Sequence, residues 1–280
     1  MFWQTSRRRI SLDRPLVMGI LNVTPDSFSD GGEYLSADDA LKRAEQMISD
    51  GVDIIDVGGE STRPGSASVD PEVEIRRTLP VVSSIAKRFD VPISIDTTKW
   101  LVAKAAIDNG AEIINDISGL RWDARLADVA ARTEAGLVLM YSRGKFETMH
   151  SEPPAGDIYH DLHDSLTASF ETAKKWGVSD EQIVLDIGIG FGKTFEQNLE
   201  LLAKLGSIVD EFKSYPMLVG TSRKSFIGKI LGDVPPSDRL SGSVATALMA
   251  VQRGAKIVRV HDVKETVAAL AVAREIDLRS

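Results

Sequence analysis

Leu16-Val17-Met18-Gly19-Ile20-Leu21, closed by Asn22, is the stretch that decides the fold class. Six apolar or small residues run here without a polar break, bounded by Pro15 before and by the turn-forming Thr24-Pro25-Asp26 after. A strand with one wet face would alternate apolar and polar residues, so a continuous run predicts a strand covered on both faces, as in a parallel sheet. Seven more short runs, nearly continuous in apolar character, follow: Ile54 to Val57, Val91 to Ile95, Ile113 to Ile117, Leu137 to Met140, Ile183 to Ile187, Met217 to Val219 and Ile257 to Val260.

The stretches between them carry helical spacing. Ala37, Ala40, Leu41, Ala44, Met47 and Ile48 form one stripe behind a Ser36 cap. Asp70-Pro71 offers an N-cap acceptor followed by a first-turn proline, and Asp262 with Glu265 reads as a capping-box-like start to the last helix. Ala-rich stretches after Lys99 and Ser241 supply others. Eight strands, each followed by a helix, predict a parallel (β/α)8 TIM barrel rather than a doubly wound sheet, which needs fewer strands and a nucleotide fingerprint. Residues 1–14 fall outside the repeat, and Trp3, Ile10 and Leu12 are expected to pack a short N-terminal hairpin over the barrel bottom; residues 15–280 form one domain.

With 280 residues, 43% of them apolar and 26% charged, the chain is long enough for one such barrel with a substantial core. A net charge of −8 argues against a nucleic-acid or membrane-surface binder, which would need a basic face. The lack of cysteine removes disulfides, thiol nucleophiles and Cys-ligated zinc together. Arg7-Arg8-Arg9 is followed by no apolar segment of the kind an export signal needs, and no run reaches the roughly 20 apolar residues of a membrane span, so a cytoplasmic protein is expected.

A barrel of this type builds its active site at the C-terminal strand ends. The residues closing the runs are Asn22, Asp56, Asp96, Asn115 with Asp116, Tyr141, Asp186, Thr221, and Arg259 with His261. Any single one could be a cap or a turn residue, but this many polar groups around one rim predict a binding site. Two connections on the same face exceed the usual length of about 4 to 6 residues. They are Asn22-Val23-Thr24-Pro25-Asp26-Ser27-Phe28-Ser29-Asp30-Gly31-Gly32 and Gly58-Gly59-Glu60-Ser61-Thr62-Arg63-Pro64-Gly65. Gly190-Phe191-Gly192-Lys193-Thr194 looks like the end of a P-loop, but Ile187 stands where the first glycine is required. His160, Asp161, His163 and Asp164 read as a solvated helix face with no metal.

Those two loops, together with Gly220-Thr221-Ser222-Arg223-Lys224-Ser225 and Arg259-Val260-His261-Asp262, closely resemble the dihydropteroate synthase family, in that order and from about Pro15 to the last helix. The resemblance implies condensation of 6-hydroxymethyl-7,8-dihydropterin pyrophosphate with p-aminobenzoate, giving 7,8-dihydropteroate and pyrophosphate in folate synthesis. It implies that Asp96, Asn115, Asp186 and Lys224 read the pterin edge, with Met140 as an apolar wall and Gly220 at the substrate. Arg259 and His261 would clamp the leaving pyrophosphate, Thr62 would add a hydroxyl there, and Asn22 would support a Mg2+. Phe28 and Pro64 would flank p-aminobenzoate, with Asp30 and Arg63 on the closed loops. Ser225 would meet its carboxylate, at a helix starting near Ser222 whose dipole favours an anion. Asn22, Asp30, Arg63, Lys224, Arg259 and His261 are the expected catalytic set, in a homodimer.

Two departures stand out. Many family members have Met-His-Met where this chain reads Met140-Tyr141-Ser142, and Asp-Pro-Gly where it reads Asp186-Ile187-Gly188. The alternatives are a pterin-binding paralogue without turnover and a barrel like the methyltetrahydrofolate-corrinoid methyltransferases, since strand-end acids can serve any pterin.

Overall fold

Leu16 lies beside Ile257, so the first long strand of the chain is hydrogen-bonded to the last and the sheet closes on itself. The computed structural model describes residues 1–24, 37–62, 66–149, 151 and 153–279. Among these, the barrel strands are β3 (Leu16–Asn22), β4 (Ile54–Gly58), β5 (Ile93–Asp96), β6 (Ile113–Asp116), β7 (Gly136–Met140), β8 (Ile183–Asp186), β9 (Met217–Val219) and β10 (Ile257–Val260). All eight pairings around the ring are parallel. The expected strands are present, with ends shifted: Val91, Ile117 and Ile187 lie outside the paired residues.

The helices between them are α1 (Ala37–Ser49), α2 (Pro71–Arg88), α3 (Trp100–Asp108), α4 (Arg125–Thr133), α5 (Ile158–Lys175), α6 (Phe195–Ala203), α7 (Leu205–Glu211), α8 (Ser225–Ile230), α9 (Leu240–Gln252) and α10 (Val263–Asp277). Two strands, β8 and β9, are therefore each followed by two helices rather than one. Asp70 caps α2 as its sequence predicts, accepting from the Glu72 amide at 2.8 Å, a contact worth about 1 kcal/mol. The Ser36 cap expected for α1 lies outside the described residues.

Side chains alternate across each strand, and the two faces bury different cores. Val17, Leu21, Ile55, Val57, Ile93, Ile95, Ile114, Leu137, Leu139 and Leu185 face the helix ring. Leu16, Met18, Ile54, Ile113, Val138, Val184, Leu218 and Ile257 fill the barrel interior. The antiparallel pair β1 (Phe2–Gln4) and β2 (Arg9–Ser11) delivers Trp3 and Leu12 into this interior cluster, where both are buried. Trp3 Nε1 donates to the Gln182 carbonyl at 2.8 Å, and Gly136 makes room for its ring, since a Cβ there would stand 3.0 Å from it. Buried Glu112 ties the hairpin down by accepting from Thr5 Oγ1 at 2.9 Å and from Arg8 Nε and Nη2 at 3.0 and 2.8 Å. Trp3 and Leu12 thus fill the end of the barrel opposite the C-terminal strand ends.

Candidate active site

Two or four residues further along the strands from the apolar interior layer, the same inward parity yields Asn22, Asp56, Asn115, Met140, Asp186, Gly220, Arg259 and His261, and β5 adds Asp96. Sequence period alone thus aims these groups into one barrel mouth. Arg259 is the hub: Nε donates to Asp56 Oδ2 and Nη2 to Asp96 Oδ2, each at 2.6 Å. Asn115 Nδ2 donates to the same Asp56 Oδ2 at 3.1 Å, while Asp56 Oδ1, fully buried, has no hydrogen-bond partner among the described residues. Burial raises the Asp96 carboxyl to about 7 against the pull of Arg259, with Asp56 adding to the rise. Arg259 itself is held fully charged by Asp56 and Asp96, which outweigh its burial. Asp56 was legible at the strand end, but its place between Arg259 and Asn115 was not; the signal was its inward parity with Ile54.

Across the mouth, Asp186 accepts from the Gly188 amide at 2.8 Å, and burial raises it to about 6. Gly188 has φ 63°, and a Cβ there would fall 1.8 Å from the Tyr141 carbonyl oxygen, so only glycine fits this turn. Lys224 lies with Nζ 3.9 Å from the Phe191 ring centroid, and burial with the nearby Arg259 charge lowers its ammonium to about 8. Met140 joins Ile117, Phe146, Met149 and Phe191 in a separate apolar cluster above the polar rim. A planar heterocycle entering here meets carboxylates, an amide and an ammonium at its edge and apolar walls on its faces.

His261 Nδ1 lies 3.0 Å from Ser222 Oγ, and Ser222 Oγ accepts from the His261 amide at 3.1 Å. Burial, reinforced by Arg259 and Arg223, lowers the imidazole to about 3, so it is neutral at physiological pH. A neutral imidazole can give a hydrogen bond but carries no charge, whereas Arg259 and Lys224 bring cationic groups to the described part of the mouth.

The expected helix start near Ser222 is corrected: α8 begins at Ser225, with Lys224 in the cap position. Arg223 adopts φ 58° and gives its amide to Ser243 Oγ, which breaks any helical run from 222. Ser225 is exposed at the first turn of a helix of only six residues. The capping role expected of the Asp262 side chain is also replaced, since its carboxylate is paired with the Arg223 guanidinium. Asp161, on the helix face expected to be solvated, keeps a half-exposed carboxylate that also accepts from Tyr141 Oη at 2.5 Å and Arg143 Nε at 2.9 Å.

At the roots of the two long loops, Asn22 closes β3 and Thr62 ends the described part of the second loop. Phe28, Asp30, Arg63 and Pro64 lie outside the described residues. Glu60 is fixed by Lys99 Nζ at 2.8 Å, which also donates to buried Glu74 at 2.6 Å. A Cβ on Gly58 would stand 3.1 Å from Asn22 Oδ1, so the bare glycine keeps space beside that amide oxygen. Hard oxygen donors of this kind fit Mg2+.

A family model described as pterin binding enzyme matches residues 18–261. The dihydropteroate synthase of Escherichia coli K12 is 48% identical over 94% of this chain and 92% of its own length. The chain belongs to the dihydropteroate synthases. Two solved dihydropteroate synthases share its fold. That of Yersinia pestis, in a sulfonamide drug complex, has TM-score 0.93 and 43% identity, covering 99% of both chains. That of Xanthomonas albilineans, with 4-aminobenzoic acid, has TM-score 0.91 and 39% identity, again covering 99% of both chains. Against this dihydropteroate synthase background Tyr141 and Ile187 fall outside the mouth. Ile187 and the Tyr141 ring are buried in the cluster that faces the helices, and Asp186 and Met140 keep the inward positions. Membership among the dihydropteroate synthases also sets aside the corrinoid methyltransferase alternative.

Proposed function

We propose that this chain condenses 6-hydroxymethyl-7,8-dihydropterin pyrophosphate with p-aminobenzoate, giving 7,8-dihydropteroate and pyrophosphate, with the barrel mouth divided into three sub-sites. The observation that carries the reading is the convergence of Asp96, Asn115, Asp186 and Lys224, from four separate strand ends, beside the apolar cluster of Met140 and Phe191. Carboxylates accept paired N–H bonds from an amino-pyrimidinone, the asparagine reads a mixed edge, and the ammonium donates to a ring acceptor. Gly220, across from Arg259, lets the substrate approach the backbone.

Arg259, His261 and Thr62 form the pyrophosphate sub-site. Asn22 would hold a Mg2+, which when bound supplies positive charge to phosphate oxygens. Arg259 and Lys224 stabilise the charge that grows on the leaving group. The electron-rich dihydropterin supports positive charge at its exocyclic methylene, so departure of pyrophosphate precedes attack by the neutral arylamine and no strong base is needed. A large secondary isotope effect at that methylene accompanies this order; its absence favours direct displacement. Phe28, Asp30, Arg63, Pro64 and Ser225 are assigned to p-aminobenzoate, and sulfonamides that mimic it compete there. The 4-aminobenzoic acid bound to the Xanthomonas albilineans enzyme supports p-aminobenzoate as the substrate.

The acting form is proposed to be a cytoplasmic homodimer. Among the described residues no helix is long and apolar enough to cross a membrane. Calorimetric titration with the pterin pyrophosphate tests the site: saturable binding, lost in Lys224→Ala and Asp186→Ala, is expected, and equal binding by all three proteins contradicts it.

A further inference from the structure

Lys193 belongs to the glycine-rich segment that fails as a P-loop and has no part in the sub-sites above. Its side-chain ammonium donates to three main-chain carbonyls, those of Gly188 at 2.7 Å, Phe191 at 3.0 Å and Tyr141 at 3.1 Å. It also lies 4.0 Å from the centroid of the Tyr141 ring. Three bonds use every donor of an ammonium. Burial holds this lysine well below its ordinary pKa, with Asp186 pulling the other way.

The three carbonyls come from two places, the end of β7 and the turn that follows β8. That turn passes through left-handed glycines at 188, 190 and 192, with φ of 63°, 86° and 65°. Glycine reaches such angles without steric cost but leaves the backbone loosely specified, so the turn needs bonds from outside itself. It has three other ties: Phe191 N donates to the Gly188 carbonyl at 3.2 Å, Gly190 N to Asn198 Oδ1 at 2.6 Å, and Gly188 N to Asp186. The same turn carries the Phe191 ring against Lys224 Nζ, and a Cβ on Gly190 would stand 3.0 Å from Lys224 Cδ. One short turn therefore contacts both Asp186 and Lys224, and Lys193 clasps it to the neighbouring strand.

We propose that Lys193 is a positioning residue for pterin recognition: by clasping the 188–192 turn to the end of β7, it places Phe191 and, through it, Lys224 against the pterin. The inference rests on the pterin site proposed above. Lys193→Met keeps the aliphatic stem and frees all three carbonyls. The Kd for pterin pyrophosphate is expected to rise about tenfold, the effect of losing a few buried hydrogen bonds. The KM for p-aminobenzoate, at saturating pterin, stays within about twofold. Lys193→Gln, which retains two donors, falls between, and it reads the effect if the Met variant does not fold. In a Phe191→Leu background the Lys193→Met change adds less than about twofold, because the ring it positions is gone. Additive losses with Phe191→Leu, or equal damage to both substrates, mark a merely structural lysine and overturn the proposal. Wild-type protein that binds pterin pyrophosphate while Lys193→Met and Lys193→Gln bind it equally well overturns this inference alone; wild-type protein that does not bind overturns the site with it.

Discussion

Arg259 Nε and Asp56 Oδ2 lie 2.6 Å apart, and the Asp56 carboxylate is completely shielded from solvent. A buried ion pair contributes little net stability when compared with apolar packing, but removing one partner strands the other charge. Arg259 keeps Asp96 as a second partner, so Asp56→Ala is expected to cost about 3 kcal/mol, at the lower end for breaking such a pair. Arg259→Ala, which leaves two carboxylates uncompensated, is expected to cost more. Urea denaturation of both variants measures the order, and a smaller loss for Arg259→Ala contradicts the hub assignment.

Pterin pyrophosphate binding is expected to be bell-shaped in pH. Asp186, raised to about 6, and Asp96, raised to about 7, accept paired N–H bonds only when ionised, so affinity falls as pH drops through these values. Lys224, lowered to about 8, donates best when protonated, so affinity falls again above that pH. Binding measured across this range peaks between the two limbs, and Asp186→Asn loses part of the acid limb. An acid limb that Asp186→Asn leaves unchanged belongs to the ligand rather than to the site.

For His261, lowered to about 3, the folded protein holds a neutral imidazole while the unfolded chain protonates near the ordinary histidine value of about 6.5. A depressed pKa contributes stability above the unfolded value, and that contribution is lost as pH falls from there toward the folded value. NMR of the ring protons is expected to show no titration of His261 between about pH 5 and 8. Because it acts as a donor and not a charge, His261→Gln keeps kcat within about tenfold, whereas His261→Ala loses more. A ring that titrates near 6.5 contradicts this.

The floor of the barrel is tested at Trp3. Trp3→Ala removes a fully buried ring from the interior and is expected to cost about 3 to 5 kcal/mol, leaving KM for both substrates unchanged because the mouth lies at the other end. Thermal melts and steady-state kinetics on one preparation separate the two effects.

Much of this molecule could be read from residue order because its strands are buried on both faces. Runs such as Leu16 to Leu21 advertise themselves, and inward parity aims Asp96, Asn115, Asp186 and Arg259 at one another. What stayed hidden depends on backbone angles or on partners far along the chain. Nothing in the identity of Arg223 announces its left-handed φ of 58°, so the start of α8 was placed too early. Asp262 has the sequence setting of a helix cap, but a guanidinium 39 residues away takes its carboxylate. Asp161 fits a solvated stripe, which does not announce the Tyr141 and Arg143 side chains that reach it from the end of a different strand.

The proposed activity of this mouth is to join a pterin to an arylamine. Purified protein with Mg2+, 6-hydroxymethyl-7,8-dihydropterin pyrophosphate and p-aminobenzoate is expected to release 7,8-dihydropteroate and pyrophosphate in equal amounts, followed by chromatography. Tight pterin binding with no dihydropteroate formed would contradict the account and identify a pterin-binding paralogue without turnover.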